Sequence, residues 1–173
     1  MKHKILVVFY SKAGENYSVG NVETGNTEIM AQNIAELVAG DLFKIEPITL
    51  YTDNYEKATI IAKEELIANK RPEIKNIITN FEDYDIIFLG YPIWWGTYPM
   101  IINTFMESYN FNGKTIIPFN THEGSGSANT YQEIRQKLGN CKVLNGLAIN
   151  GKAARNSFSK ETIKNWLMNL NIN

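Results

Sequence analysis

Ile5-Leu6-Val7-Val8-Phe9-Tyr10 is an unbroken apolar run rich in branched side chains, with no polar residue to turn toward water. A strand of this kind must be covered on both faces, as in a parallel sheet held between layers of helices. Asp85-Ile86-Ile87-Phe88-Leu89-Gly90 repeats the pattern, and Thr115-Ile116-Ile117-Pro118-Phe119 supplies a third such run. Between them lie helical stripes. From Thr27 to Val38 the apolar residues Ile29, Met30, Ile34, Leu37 and Val38 recur at helical spacing, with Gly40 as a stop. Asp41 to Ile45 is a short strand candidate, and Asp53 is expected to cap a helix from about Tyr55 to Asn69, closed by Pro72. Pro99 opens a helix to Tyr109, and Asn129 to Leu138 forms another ending at Gly139. Lys142 to Ile149 reads as a fifth strand, followed by a last helix capped by Ser159 and carrying Ile163, Trp166, Leu167 and Leu170. Strand and helix alternate five times. The alternation predicts an α/β fold, a three-layer doubly wound five-stranded parallel sheet, with residues 1–173 as one domain.

In such sheets ligands sit beyond the carboxyl ends of the strands, where the strand order reverses. The loops after the first, third and fourth strands therefore carry the functional information. The rest of the sequence narrows what they can do. The formal net charge of −1 gives no general attraction to nucleic acid or an anionic membrane. A single cysteine, Cys141, excludes an internal disulfide and a thiolate metal cluster, so no metal is expected. No stretch approaches the ~20 apolar residues of a spanning helix, and the N-terminal residues lack a secretory pattern. A cytoplasmic location is expected.

The first loop holds Gly20-Asn21-Val22-Glu23-Thr24-Gly25-Asn26-Thr27, which fits the triphosphate loop G-x-x-x-x-G-K-[ST] except that Asn26 replaces the lysine. Without that charge the triphosphate reading fails. No dinucleotide G-x-G-x-x-G occurs. The strand ends Phe9-Tyr10-Ser11-Lys12 and Gly90-Tyr91-Pro92-Ile93 also lack the carboxylates of a phosphorylatable receiver domain. What remains is a monophosphate site of hydroxyls and backbone N–H groups: Ser11 at the strand end, and Thr24, Gly25, Asn26 and Thr27 at the start of a helix. A helix N-terminus carries about half a positive charge and unpaired donors, enough to hold a dianion. The structural alternative is that Thr24 or Asn26 merely caps the helix.

The second loop, Tyr91-Pro92-Ile93-Trp94-Trp95-Gly96-Thr97-Tyr98-Pro99, is far too aromatic for a simple connector. Two adjacent tryptophans cannot easily face the same way, so one of them is expected to line a pocket for a flat ring. The third loop, Thr121-His122-Glu123-Gly124-Ser125-Gly126, lets backbone N–H groups approach the polar edge of a ligand through its glycines. His122 is expected to make contact without acting as a catalytic acid or base.

Taken together, Ser11 with Thr24-Gly25-Asn26-Thr27, Gly90-Tyr91-Pro92-Ile93-Trp94-Trp95-Gly96 and Thr121-His122-Glu123-Gly124-Ser125-Gly126 resemble the flavodoxins, over almost the whole chain and in the same order. The resemblance implies a strand order of 2-1-3-4-5 and non-covalent FMN, its phosphate in the first loop and its ring between the second and third. It implies an electron-transfer protein with a redox partner protein or a small electron acceptor, and no catalytic side chain. The alternative is an FMN-dependent NAD(P)H reductase of quinones or similar acceptors. Three departures stand out. Ser11 and Thr24 lie thirteen positions apart, an insertion at about residues 13–23. Residues 120 to 127 contain no Trp, Tyr or Phe. The near-neutral charge also differs from the acidic carriers of the family and implies weak steering toward a basic partner. The insertion reads best as a harmless excursion, because lengthening a flexible loop costs only about 0.6 kcal/mol per doubling. The other reading folds Tyr17 and its neighbours over the phosphate or onto a partner.

Overall fold

The computed structural model describes residues 3–170 and 172. The apolar runs form the parallel strands β1 (Ile5–Phe9), β4 (Asp41–Lys44), β5 (Ile86–Pro92) and β6 (Thr115–His122). Their spatial order is β4-β1-β5-β6, with β7 (Lys142–Val143) and β8 (Leu147–Asn150) both on the far side of β6. Counting β7 and β8 as one interrupted strand, the order is 2-1-3-4-5. Every pairing in this sheet is parallel. The order reverses at β1 and β5, which join through Leu6↔Ile87 and Val8↔Leu89, so the crevice opens above their carboxyl ends.

The alternation within each strand divides the core in two. Leu6, Val8, Tyr10, Ile87, Leu89 and Tyr91 face one layer, with Ile101, Ile102 and Phe105 of α3 (Met100–Ser108) and Ile134 of α4 (Thr130–Leu138). Val7, Phe9, Ile86, Phe88, Ile117 and Phe119 face the other, against Met30, Ala31 and Ile34 of α1 (Asn26–Val38) and Ile163 of α6 (Ser159–Met168). Both faces are covered, as the apolar runs require. Helix α2 (Tyr55–Ile67) is the exception. It buries only Ala58 and Ala62, and leaves Ile60, Ile61 and Ile67 exposed.

The structure corrects four local expectations. The fifth strand breaks between Val143 and Leu147, opposite Ile117 and Pro118 of β6, where Pro118 has no N–H to give a ladder. Asn54, not Asp53, caps α2, its side chain accepting from Lys57 N at 3.0 Å. Ser159 is the first residue of α6 rather than its cap, which is Phe158. The left-handed residue ending α1 is Ala39 (φ 51°), one position before Gly40, whose N–H donates to the Ala35 carbonyl at 3.0 Å.

The expected insertion holds an antiparallel hairpin, β2 (Gly14–Asn16) and β3 (Gly20–Val22). It is docked rather than loose. Glu15 N donates to the Asp53 carbonyl at 3.0 Å, and the Glu15 carboxylate accepts from Tyr55 N at 2.8 Å, at the start of α2. The Lys12 ammonium donates to the carbonyls of Ala13, Glu15 and Asp53. Partial burial lowers its pKa, against the pull of Asp53 and Glu15. The Tyr17 and Tyr55 rings lie 5.8 Å apart. The hairpin thus fastens the N-terminus of α2.

Candidate functional site

Where β1 ends, the chain passes Ser11 and returns, after the hairpin, to the first turn of α1. Neither Thr24 nor Asn26 caps that helix. The cap is Gly25 (φ −68°, ψ 158°), which has no side chain to offer. The missing acceptor comes from Ser11, whose Oγ takes the Glu28 N–H at 3.2 Å. The two segments touch so closely that a Cβ on Gly25 would lie 2.2 Å from Ser11 Oγ and 2.5 Å from the Lys12 carbonyl. Glycine is required there by the close approach of the chain to itself. The N–H groups of Asn26 and Thr27, in the first turn, have no partner within the helix. Beside them the Thr27 and Thr121 hydroxyls share a hydrogen bond of 2.7 Å, both residues buried. Glu28, an acid in the same turn, is paired with Lys44 at 2.7 Å.

The second loop turns back within two residues. Trp94 N donates to the Thr97 carbonyl at 2.8 Å and Thr97 N to the Trp94 carbonyl at 3.1 Å. Trp95 (φ 52°) and Gly96 (φ 78°) between them are both left-handed, as a type I′ turn demands. Tryptophan is a costly choice for that conformation, and strain of this kind gathers at ligand clamps. The turn sends the indoles apart. Trp94 is half-buried and packs edge-on with Tyr10 (5.6 Å between centroids) and Tyr51 (5.1 Å). Both tyrosines have hydroxyl pKa values pushed up by burial, and the Tyr51 hydroxyl donates to Glu65. Trp95 is 51% exposed, its Nε1 donating to the Thr59 carbonyl of α2 at 2.9 Å, with the Lys63 ammonium 4.7 Å from the ring centre.

The third loop is shaped from within. Asn120, fully buried, accepts from the Tyr131 hydroxyl at 2.7 Å and donates from Nδ2 to the Gly126 carbonyl at 3.0 Å. Gly124 (φ 120°) donates its N–H to His122 Nδ1 at 3.0 Å, so the neutral imidazole carries its proton on Nε2.

These pieces enclose a cavity of about 250 Å³. Nine of the expected residues line it: Ser11, Asn26, Thr27, Pro92, Ile93, Trp94, Trp95, Thr121 and His122. Thr24, Gly25, Gly96, Gly124, Ser125 and Gly126 do not. The sequence reading missed an entire wall. Tyr55, Ala58, Thr59 and Ala62 of α2 line the cavity, and Lys12, Glu15, Asn16, Tyr17 and Glu123 complete it. The spacing of the four α2 residues marks one helical face, which is the signal that could have found them. Among the described residues no group of three or more His, Cys, Asp or Glu side chains could hold a metal ion. Nor, among them, is any helix long and apolar enough to cross a membrane. Cys141 is half-buried away from the cavity, and burial raises its thiol pKa.

A family model described as flavodoxin matches residues 4–170. The chain belongs to the flavodoxin family. Two solved structures, from Bacteroides eggerthii DSM 20697 and Bacteroides uniformis ATCC 8492, are each provisionally assigned as a flavoprotein and are each 30% identical to this flavodoxin-family chain. The first has a TM-score of 0.77 and covers 99% of both chains; the second has 0.78 and covers 97% of this chain and 99% of that one. A flavoprotein of Lactobacillus acidophilus NCFM, solved in complex with FMN, is 23% identical with a TM-score of 0.68, covering 87% of this chain and 95% of its own. Among curated proteins no match is found.

Proposed function

We propose that this flavodoxin-family protein is an electron-transfer protein whose cofactor, FMN, lies in the cavity between the α1 N-terminus and the Trp94–Thr97 turn. The cofactor itself follows from family membership and from the FMN complex of the Lactobacillus relative. The residues fit the group. Unpaired helix N–H groups, two threonine hydroxyls and a glycine that admits no Cβ suit a phosphate at one end. A half-exposed indole on a strained turn suits a flat ring at the other. The observation that carries the reading is this pairing of an anion grip and an aromatic platform in one cavity.

When bound, FMN supplies the redox chemistry. The chain binds and orients it. Ser11, Thr24, Gly25, Asn26 and Thr27 hold the phosphate, directly or by closing the loop. Pro92, Ile93 and Trp95 meet the ring, and Trp94 backs them from the core. Thr121 and His122 face the ring's polar edge, His122 through its Nε2–H, with Gly124, Ser125 and Gly126 setting the backbone around them. No side chain serves as a catalytic acid or base.

A second reading is favoured by one observation. The third loop carries no aromatic side chain over residues 120–127, which leaves room on that side for a substrate. On that reading the protein is an FMN-dependent NAD(P)H reductase of quinones or similar acceptors. The test is an anaerobic redox titration of the FMN-loaded protein, with NAD(P)H oxidation assayed alongside in the presence of a quinone. Two resolved one-electron steps and no NAD(P)H oxidation are expected for the carrier. A single two-electron step with quinone-dependent NAD(P)H oxidation would replace it by the reductase. FMN at a hundredfold excess over its dissociation constant should add about 2.7 kcal/mol of stability, and failure to bind FMN would overturn both.

A further inference from the structure

The turn that follows β8 carries no aromatic and no hydroxyl, and the sequence assigns it nothing. In the structure it lies behind both polar parts of the cavity. Arg155, directly after the short helix α5 (Gly151–Ala154), donates from Nη1 to the Thr24 carbonyl at 2.8 Å and to Asn26 Oδ1 at 3.1 Å. Gly151 approaches so closely that a Cβ there would lie 2.4 Å from Asn26 Nδ2 and 2.1 Å from Glu123 Oε1. Asn150 Nδ2 donates to Glu123 Oε2 at 3.3 Å. One segment of six residues thus holds the start of α1 on one side and the third loop on the other.

The consequence for Asn26 is specific. A guanidinium has donors and no acceptor, so it can meet only the oxygen of the carboxamide. That fixes which way the amide faces. Asn26 lines the cavity, and with Oδ1 taken, its remaining hydrogen-bonding capacity is mainly the two donors on Nδ2. Nδ2 lies against Gly151, so Asn26, the first residue of α1, is held from both ends of its amide, and with it the helix N-terminus whose N–H groups a dianion needs. Arg155 also ties down the Thr24 carbonyl, so the peptide leading into Gly25 is held as well.

We infer that Arg155 is a positioning residue of the phosphate subsite, acting through Asn26 and Thr24 and not by touching the phosphate. The inference rests on Thr24–Thr27 being the phosphate loop. Riboflavin is FMN without its phosphate, so comparing the two ligands isolates that subsite. Dissociation constants for both, from quenching of flavin fluorescence, should be measured for wild type, Asn26→Ala, Arg155→Ala, Arg155→Lys and the Asn26→Ala/Arg155→Ala double variant.

Arg155→Ala is expected to weaken FMN about tenfold, the scale of removing one charge-assisted hydrogen bond. Riboflavin affinity should stay unchanged, and Arg155→Lys should recover part of the loss, since an ammonium can still donate to the Thr24 carbonyl. The double variant should fall well short of the product of the two single losses. Equal loss of both flavins in Arg155→Ala, or no loss of either, would overturn the inference. Fully multiplicative losses would mean that Arg155 contacts the phosphate independently, which also overturns it. If instead the phosphate loop is misplaced, wild type will bind both flavins alike and Asn26→Ala will change neither. Arg155 is exposed, so the cofactor-free variant should melt with wild type; if it does not, Arg155→Lys carries the comparison.

Discussion

The two ends of the cavity are built in opposite ways. At the α1 end, Ser11, Gly25, Thr27 and Thr121 are all buried, and each belongs to β1, α1 or β6 or lies within two residues of one of them. The Thr27 and Thr121 hydroxyls hold each other, and Ser11 Oγ is held by the Glu28 N–H. At the other end stands an exposed tryptophan in a left-handed turn, leaning on a helix that buries two alanines. The first end is rigid because it is part of the core. The second is held by a few hydrogen bonds reaching across the surface. A ligand gripped firmly at one end and loosely at the other keeps a fixed anchor while its reactive portion stays reachable.

This contrast can be broken at either end. The largest effect is expected from Gly25→Ala. Its Cβ would collide with Ser11 Oγ and the Lys12 carbonyl, an overpacking that costs about 1–3 kcal/mol of stability. FMN binding should fall with it. Thermal unfolding and an FMN titration check both, and a variant that folds and binds normally would show the end to be less rigid than its geometry implies.

The tryptophans come next, because they should fail differently. Trp94→Ala removes a half-buried indole packed on Tyr10 and Tyr51. It should cost about 2 kcal/mol of stability without ligand, less than the roughly 3–5 kcal/mol of a fully buried aromatic. Trp95→Ala should leave that stability nearly intact and weaken FMN about tenfold, the upper range of an aromatic stacking interaction. Denaturant unfolding paired with FMN titration separates them. The reverse pattern would assign the platform to Trp94.

Smallest is Glu15→Ala. It removes the carboxylate that accepts from Tyr55 N, worth about 1 kcal/mol at a helix N-terminus. The loss should be local, appearing as faster amide hydrogen exchange in the first turn of α2 with the exchange of β1 and β5 unaltered. Faster exchange throughout the sheet would mean that the hairpin supports the whole domain.

The same contrast explains what was legible in the sequence. β1, β5 and β6 announce themselves because burial on both faces forces unbroken apolar runs. One end of the cavity lies where β1 stops and the helical stripe of α1 begins, so Ser11, Asn26 and Thr27, which line it, were within reach of the strand end, the stripe and the loop composition together. The turn at Trp94 and Trp95 was visible as a site, but which indole faces outward depends on the backbone hand of Trp95. The α2 wall was hidden because its lining residues are mostly small. Glu15 meeting the first N–H of a helix 40 residues away, and Arg155 reaching Thr24 across 131 positions, are partnerships that only the folded chain creates. Pro118 was read as part of a strand and lies in one, β6; its missing N–H is felt on the neighbouring strand, which breaks opposite it.

The thin seating of α2 bears on how quickly the cofactor comes and goes. A wall that buries two alanines can swing away at a small fraction of the free energy needed to melt the sheet, since a segment with little buried apolar surface opens at little cost. With FMN seated as proposed, its release is expected to follow the excursions of this one helix. Its residence should respond to substitutions along Ala58 and Ala62, while the sheet beneath stays closed throughout.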